Sequence, residues 1–297
     1  MDNTTTNQAH GRAATQSGAA SQFACSAWLG CVRPNYPARR IGNGAGGAEW
    51  AEFPFYVGLD DLYYAFRFER SFISVNRLRA RKSPFKVNKW SMDSGAFTEV
   101  TTHGGYRTEP EEYAKEIERW RLCGNMEAAV CQDYMCEPFV TAKTGLTVRD
   151  HQRLTIERFD RLRAATAAPL LPVLQGFKPH EYREHLADYG HRLALGARVG
   201  VGSVCKRQSK PEVISVILYA ITDMRPDLKW HMFGLKKTAL AYSSIRSMIF
   251  SADSMAWSYH ARRNKRSAHD WREAKQFEED IQHMELNHTP HQPQLCL

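Results

Sequence analysis

The sequence predicts an α/β protein of the TIM-type (β/α)8 barrel class, with its eighth strand either irregular or missing. Short apolar runs alternate with helical stretches between residues 53 and 253, the pattern of parallel strands joined by helices. Seven such strands can be placed, and that number favours a closed barrel over an open sheet. The runs also close, one after another, on an acidic residue, an amide or a glycine, at the strand ends where parallel barrels carry their sites.

The elements follow in order. Residues 1–48 are rich in Asn, Thr, Gln, Ala, Ser and Gly without periodicity, and read as a disordered leader ahead of a barrel over 49–284. Within the leader, Gly42-Asn43-Gly44-Ala45-Gly46-Gly47 spells a dinucleotide-binding pattern. No strand precedes it and no helix follows, so it reads as linker. Residues 53–58 form the first strand, and 62–80, apolar at helical spacing with arginines opposite, are expected as a helix. The second strand, 87–92, runs into Asp93-Ser94-Gly95-Ala96-Phe97. After a loop, Thr108-Glu109-Pro110-Glu111 predicts a capping box heading a helix to 122, which Gly124 ends.

The third strand, 127–132, closes on Asp133; a loop follows, then a helix over 148–164 introduced by Thr147 and Asp150. Residues 170–174 are a strand ending in Gln175-Gly176, and Pro179 begins a helix that Gly190 stops. Residues 195–201 close on Gly202-Ser203, and Ser209-Lys210-Pro211-Glu212 predicts a second capping box for a helix over 213–224. Strand 228–233 closes on Gly234, a helix follows over 238–247, and the last strand, 248–252, closes on Asp253. A final helix is expected over 268–284, with 285–297 as a frayed tail.

Composition narrows the class. The chain has 297 residues, 43% hydrophobic and 24% charged, which is ordinary for a globular protein. Lys and Arg exceed Asp and Glu by 40 to 32, for a net charge of +8 and a pI near 9.1, mild support for a polyanionic partner such as nucleic acid. Seven cysteines without a regular framework suggest free thiols in a reducing, cytoplasmic compartment. No apolar run reaches the length that spans a bilayer, and residues 23–32 lack the basic flank and cleavage site of a signal peptide.

Each strand-end residue taken alone has an ordinary explanation, Asp as a cap and Gly as a turn. Together, Asp93, Asp133, Gln175 with Gly176, Gly202, Gly234 and Asp253 converge on one face of a barrel. Carboxylates accept from the N1 and N2 hydrogens of a guanine, and an amide and a backbone N–H donate to its O6. The same carboxylates suit glycosidic chemistry, one as nucleophile and one as acid/base.

The motifs Asp-Ser-Gly-Ala-Phe at 93–97, Gln-Asp-Tyr at 132–134, Val-Leu-Gln-Gly at 173–176, Val-Gly-Ser-Val at 201–204, Met-Phe-Gly-Leu at 232–235 and Ser-Ala-Asp-Ser at 251–254 resemble, in order, the active-site motifs of tRNA-guanine transglycosylases. The likeness is greatest to their DNA-acting DpdA-type relatives, which place 7-deazaguanines in DNA, and it covers roughly residues 53–257. It implies Asp253 as the nucleophile at C1′ and Asp93 as the general acid/base. Asp133, Gln175, Gly176 and the Gly202 and Gly234 backbone would read the base, between Phe97 and Phe233 as stacking walls. It implies no cofactor, DNA and a 7-deazaguanine base as partners, no membrane, and a bacterial or phage-infected host cell. A homodimer or a partner protein is left open.

Two departures stand out. The tRNA enzymes carry a Cys-x-Cys-x-x-Cys plus His zinc site after the nucleophile. This tail holds only Cys296 and several histidines, so no metal is expected and tRNA becomes the less favoured substrate. Val201 also replaces the first glycine of a usual pair. Cys131 and Cys136, which flank Asp133, read as small buried residues rather than a redox pair. Arg262, Arg263, Lys265 and Arg266 follow the proposed nucleophile, and Lys206 and Arg207 follow another strand end, as do Lys236 and Lys237; phosphate contact is expected. The leading reading is a DNA-guanine transglycosylase. The alternatives are the same chemistry on tRNA, a DNA-binding barrel without catalysis, or a glycosylase that removes a base and inserts nothing.

Overall fold

The computed structural model describes residues 53–207 and 210–287. The expected leader, its glycine-rich run, Ser209 and residues 288–297 lie outside the described residues. Strand β1 (Phe55–Leu59) is buried along its whole length, as a parallel strand covered on both faces must be. The stretch expected as one helix over 62–80 is instead a 3₁₀ turn at Leu62–Arg67, strand β2 (Arg70–Ser74) and a single helical turn, α1 (Val75–Leu78). The eighth strand was hidden here. Leu62, Ala65, Phe68, Ile73, Val75 and Leu78 bury toward the helix layer and happen to fall at near-helical spacing, although the backbone between them changes state twice. In β2 itself Ser71 and Ile73 are buried and alternate with the half-buried Arg70, Phe72 and Ser74, the period of a strand.

Strand β3 (Lys89–Asp93) leads into α2 (Ala96–His103), where the sequence predicts a loop, and then α3 (Pro110–Trp120). The expected Thr108 cap does not form: Glu109 is the N-cap without a side-chain bond, and Thr108 Oγ1 accepts from Arg79 Nη1 at 2.5 Å. Strand β4 (Asn125–Val130) is followed by α4 (Pro138–Thr144), also unexpected, and by α5 (Val148–Ala165), whose Thr147 and Asp150 make a reciprocal capping box. Next come β5 (Leu170–Leu171), β6 (Val173–Leu174), α6 (Pro179–Tyr189), β7 (Arg198–Val201) and α7 (Pro211–Met224), which starts from Lys210. Strand β8 (Lys229–Met232) precedes two short helices, α8 (Lys237–Leu240) and α9 (Ser243–Arg246), where one was expected. Strand β9 (Ser251–Ser254), α10 (Ala256–Arg263) and α11 (Trp271–Gln282) complete the chain. Asn287, within the tail expected to fray, bridges to Tyr242.

All strand pairings are parallel, in the order β5-β4-β3-β2-β1-β9-β8-β7-β6. The two ends of that order are consecutive in the chain, so the barrel is nearly closed, with one seam where no ladder runs. Pro172 lies at the seam. The carbonyls of Pro169 and Leu171 accept from Ala129 and Cys131 on one side, and those of Pro172 and Leu174 accept from Gly200 and Gly202 on the other. Carbonyls alternate sides along a strand, so residues 170–174 act as one strand whose proline supplies an acceptor but no donor. Counted that way the barrel has eight strands, and its irregular one is 170–174.

The core has two layers. Between strands and helices pack Trp90, Met92, Ile117, Val199, Ile214 and Trp230 with many others. Inside the barrel Ala128, Val130, Leu171 and Val173 pack with Phe72 and Phe233. Near the starts of the strands, Tyr56 OH donates to Glu127 and accepts from Arg198 Nη1 at 2.6 Å, and burial pushes its hydroxyl up to about 12. This cluster lies at the end of the barrel opposite the carboxyl ends of its strands. Among the described residues no helix is long and apolar enough to cross a membrane.

Candidate active site

At those carboxyl ends lies a cavity of about 710 Å³, within the size range of small-molecule sites. Asp93, Asp133, Gln175 and Asp253 line it, as do Gly202, Gly234, Phe97 and Phe233. Gly176 does not. It sits where a Cβ would come within 3.0 Å of the Tyr182 backbone nitrogen, so its lack of a side chain serves helix packing.

Asp93 is the last residue of β3, aimed by the turn that follows. Gly95 takes a left-handed φ of 77° and a Cβ there would lie 2.6 Å from Asn76 Nδ2, so only glycine lets the chain turn while Asn76 crosses beneath it. The Gly95 N–H donates to Asp93 Oδ2 at 3.1 Å. Burial lifts the Asp93 carboxyl to about 6, the charge of Asp253 adds to the rise, and the Ser74 hydroxyl and the Gly95 N–H oppose it.

Asp253 lies within β9 rather than after it. Its Oδ1 accepts from the Gly234 N–H at 3.2 Å and stands 3.3 Å from His231 Nε2. No hydrogen bond among the described residues occupies Oδ2. His231 is buried between Phe72, Phe233 and Tyr56, and its Nδ1 is 2.9 Å from Ser251 Oγ. Burial lowers its pKa, which favours the neutral ring. His231 Nε2 makes no hydrogen bond among the described residues, so its approach to Asp253 is one of proximity.

Asp133 stands three residues beyond β4 and is 5% exposed. Its backbone N–H donates to Tyr106 OH at 3.0 Å, and Gln175 Nε2 donates to its Oδ2 at 2.5 Å. Burial raises its carboxyl to about 7, the Gln175 bond lowers it, and the Asp93 and Glu137 charges raise it further. Gln175 is anchored at its backbone too: its N–H donates to His185 Nδ1 at 2.9 Å and its carbonyl accepts from Gln152 at 2.8 Å. Gly202 makes room for it, because a Cβ at 202 would lie 2.1 Å from Gln175 Nε2. An acceptor, a donor and a bare backbone are thus presented side by side, flanked by Phe233 and Met135.

Sequence reasoning missed several lining residues. Ser74, Asn76, Arg77 and Arg79 come from the end of β2 and from α1, which were expected as mid-helix; the Ser-Val-Asn at 74–76 was the available sign of a strand end. Glu137 and Ser203 were also missed, although Ser203 directly follows a residue that was singled out. It holds a φ of 55°, rare for a residue with a side chain.

The basic residues divide. Helix α10 stays near the cavity rim: it starts beside Met255, which lines the cavity, Trp257 Nε1 donates to Gly58 O, and His269 beyond its end contacts the cavity residue Asp60. Arg262, Arg263 and Lys265 are exposed there, whereas Arg266 is paired with Glu273 at 2.7 Å. Lys206 lies over the Phe139 ring at 3.6 Å and 5.8 Å from that of Phe97. Arg207 donates to Phe177 O at 2.5 Å and covers the Phe177 ring, which ties it to the fold. Lys237 is paired with Asp280. Cys131 and Cys136 are buried free thiols whose ionisation burial disfavours. Among the described residues no cluster of three or more His, Cys, Asp or Glu side chains could hold a metal ion.

No curated protein matches the chain. The sequence model of one family does, over residues 66–270; its description is DpdA, DeoxyPurine in DNA protein A. The matched stretch holds every cavity-lining residue except Gly58, Leu59 and Asp60.

Proposed function

Since the chain belongs to the DpdA family, we propose that it exchanges guanine in DNA for a 7-deazaguanine base through a covalent bond between Asp253 and the sugar. The observation that carries this reading is the meeting of Asp93, Asp133, Gln175 and Asp253 in one cavity. In the first half-reaction Asp253 Oδ2 attacks C1′, the C1′–N9 bond breaks with its electron pair going to N9, and Asp93 supplies the proton that guanine takes away. In the second, Asp93 removes the N9 proton of the incoming base, N9 attacks C1′, and the Asp253 ester bond breaks. Two displacements retain configuration, and the proton balance closes on Asp93.

Several features of the site support these roles. Oδ1 of Asp253 accepts from the Gly234 N–H and lies beside His231, which leaves Oδ2 for bonding. A carboxyl at about 6 both gives and takes a proton near neutral pH, as Asp93 must. Asp133 and Gln175 offer the acceptor and donor that a guanine edge needs. The target nucleotide has to leave the duplex stack to reach such a pocket, and Arg262, Arg263 and Lys265 on the rim provide charge for the flanking phosphates.

The test is incubation of labelled guanine, and separately of a 7-deazaguanine, with DNA and with tRNA. Label entering DNA alone is expected. Entry into tRNA alone refutes the DNA assignment, and loss of guanine without replacement indicates a base-removing glycosylase.

A further inference from the structure

Ser203 Oγ sits at a junction where the hydrogens do not suffice. It accepts from the Cys136 N–H at 2.8 Å, and it lies 2.7 Å from Glu137 Oε2 and 2.7 Å from Gln175 Oε1. Both of those oxygens are acceptors, and a hydroxyl has one hydrogen to give. Beyond Gln175 the chain continues to Asp133 Oδ2. Asp133, Glu137, Gln175 and Ser203 are each no more than 5% exposed, and the face they show is the one that lines the cavity. With both carboxylates ionised the row Asp133, Gln175, Ser203, Glu137 is one hydrogen short.

One added hydrogen completes the row in two ways. If Glu137 carries it, Glu137 donates to Ser203, Ser203 donates to the Gln175 oxygen, and the Gln175 amide nitrogen donates to the Asp133 carboxylate. If Asp133 carries it, Asp133 donates to the Gln175 oxygen, the amide turned over donates to Ser203, and Ser203 donates to the Glu137 carboxylate. The proton count is the same, and the amide is reversed. The first filling presents an N–H and a bare carboxylate to the cavity, complementary to O6 and to the N1 and N2 hydrogens of a 6-oxopurine. The second presents an amide oxygen, which repels O6 and accepts from a 6-amino group.

We propose that Ser203 is the specificity-determining positioning residue of the base pocket: its one hydrogen, contested by Gln175 and Glu137, decides whether the Gln175 amide offers a donor or an acceptor to the 6-position of the base. Glu137 opposes 6-oxopurine binding unless it gives up its claim on that hydrogen. The local backbone fits this role. Ser203 is held at φ 55°, a conformation costly for serine, and it is the serine hydroxyl that the junction uses. This inference rests on the reading of Asp133 and Gln175 as the base-reading pair.

The experiment measures binding of guanine and of 2,6-diaminopurine to the full-length protein by titration calorimetry. The two bases share the 2-amino group and differ at position 6 and in the N1 hydrogen. Glu137→Gln supplies a neutral side chain that can donate to Ser203 without an added proton, and it is expected to raise the preference for guanine. Ser203→Gly removes the hydroxyl and relieves the backbone, and a thermal melt checks that the fold survives the loss of its three hydrogen bonds; the preference is expected to fall, by roughly tenfold for one lost hydrogen bond. Opposite movements in the two variants are what the junction requires and what a packing role does not produce. Guanine binding with the same preference in both variants overturns the role of Ser203 alone. Absence of guanine binding by the unaltered protein overturns the base-pocket reading and this inference with it.

Discussion

Replacing Gly202 with alanine displaces the Gln175 amide while leaving the backbone in place. The new methyl group would lie 2.1 Å from Gln175 Nε2, 2.6 Å from Cδ and 2.8 Å from Oε1, too close for any of them to stay. Gln175 is not free to step aside, since its amide is held by Asp133 at 2.5 Å and Ser203 at 2.7 Å. The backbone is unaffected: Gly202 is not in the left-handed region, and its N–H keeps its bond to Leu174 O at 2.9 Å. The variant therefore loses the bond between Gln175 and the Asp133 carboxylate, a hydrogen bond to a charged group of about 1.5–3 kcal/mol. The displaced amide also no longer donates to the base, and one neutral hydrogen bond of about 0.5–1.5 kcal/mol corresponds to roughly a 2- to 10-fold weaker hold on the incoming base. Steady-state exchange should show it as a raised KM for the base, with a thermal midpoint lowered by a few degrees for the bond lost inside the fold. A parental KM, or a variant that fails to fold, refutes the reasoning.

Other predictions follow from charge. Asp93 must be protonated to release guanine and ionised to accept the new base, so in single turnovers adduct formation should slow as pH rises through about 6 while adduct breakdown should quicken. Asp133 titrates at about 7 in the folded chain against 3.8 for an ordinary aspartate, so the folded state keeps a proton that the unfolded chain has lost and stability falls between about pH 4 and pH 7. Asp133→Asn should then raise the unfolding free energy at pH 8 by up to a few kcal/mol, lose that gain at pH 4, and bind no guanine; denaturant titration at the two values checks it. Removing Arg262, Arg263 and Lys265 together should flatten the salt dependence of DNA affinity by about two to three units of slope, seen by anisotropy across a salt series.

Much of the fold was legible because parallel strands buried on both faces read as plain apolar runs, and seven of them, including 170–174 despite its proline, stood out in the sequence. Strand β2 did not, because Arg70, Phe72 and Ser74 alternate with Ser71 and Ile73 and mix polar with apolar on both faces. The error carried into the site: Ser74, Asn76, Arg77 and Arg79 lie where that strand ends, and a residue expected in mid-helix is no candidate for a strand-end site. Asp93, Asp133, Gln175 and Asp253 were legible as strand-end residues, but their partners were not. The pairing of Asp133 with Gln175, or of Asp253 with His231, joins residues on different strands, and no local pattern encodes it. Helix α10 was hidden because its basic end masks the apolar signal of Trp257 and Ala261, which anchor its buried face.

The exchange depends on Asp253 bonding to the sugar. Denaturing the protein during turnover on a guanine-containing DNA strand, then separating and digesting it, tests this directly. A DNA-linked peptide containing Asp253 is expected, absent in Asp253→Asn and still formed in Gly202→Ala. An adduct that persists in Asp253→Asn, or base exchange with no protein-linked DNA at any time point, contradicts it.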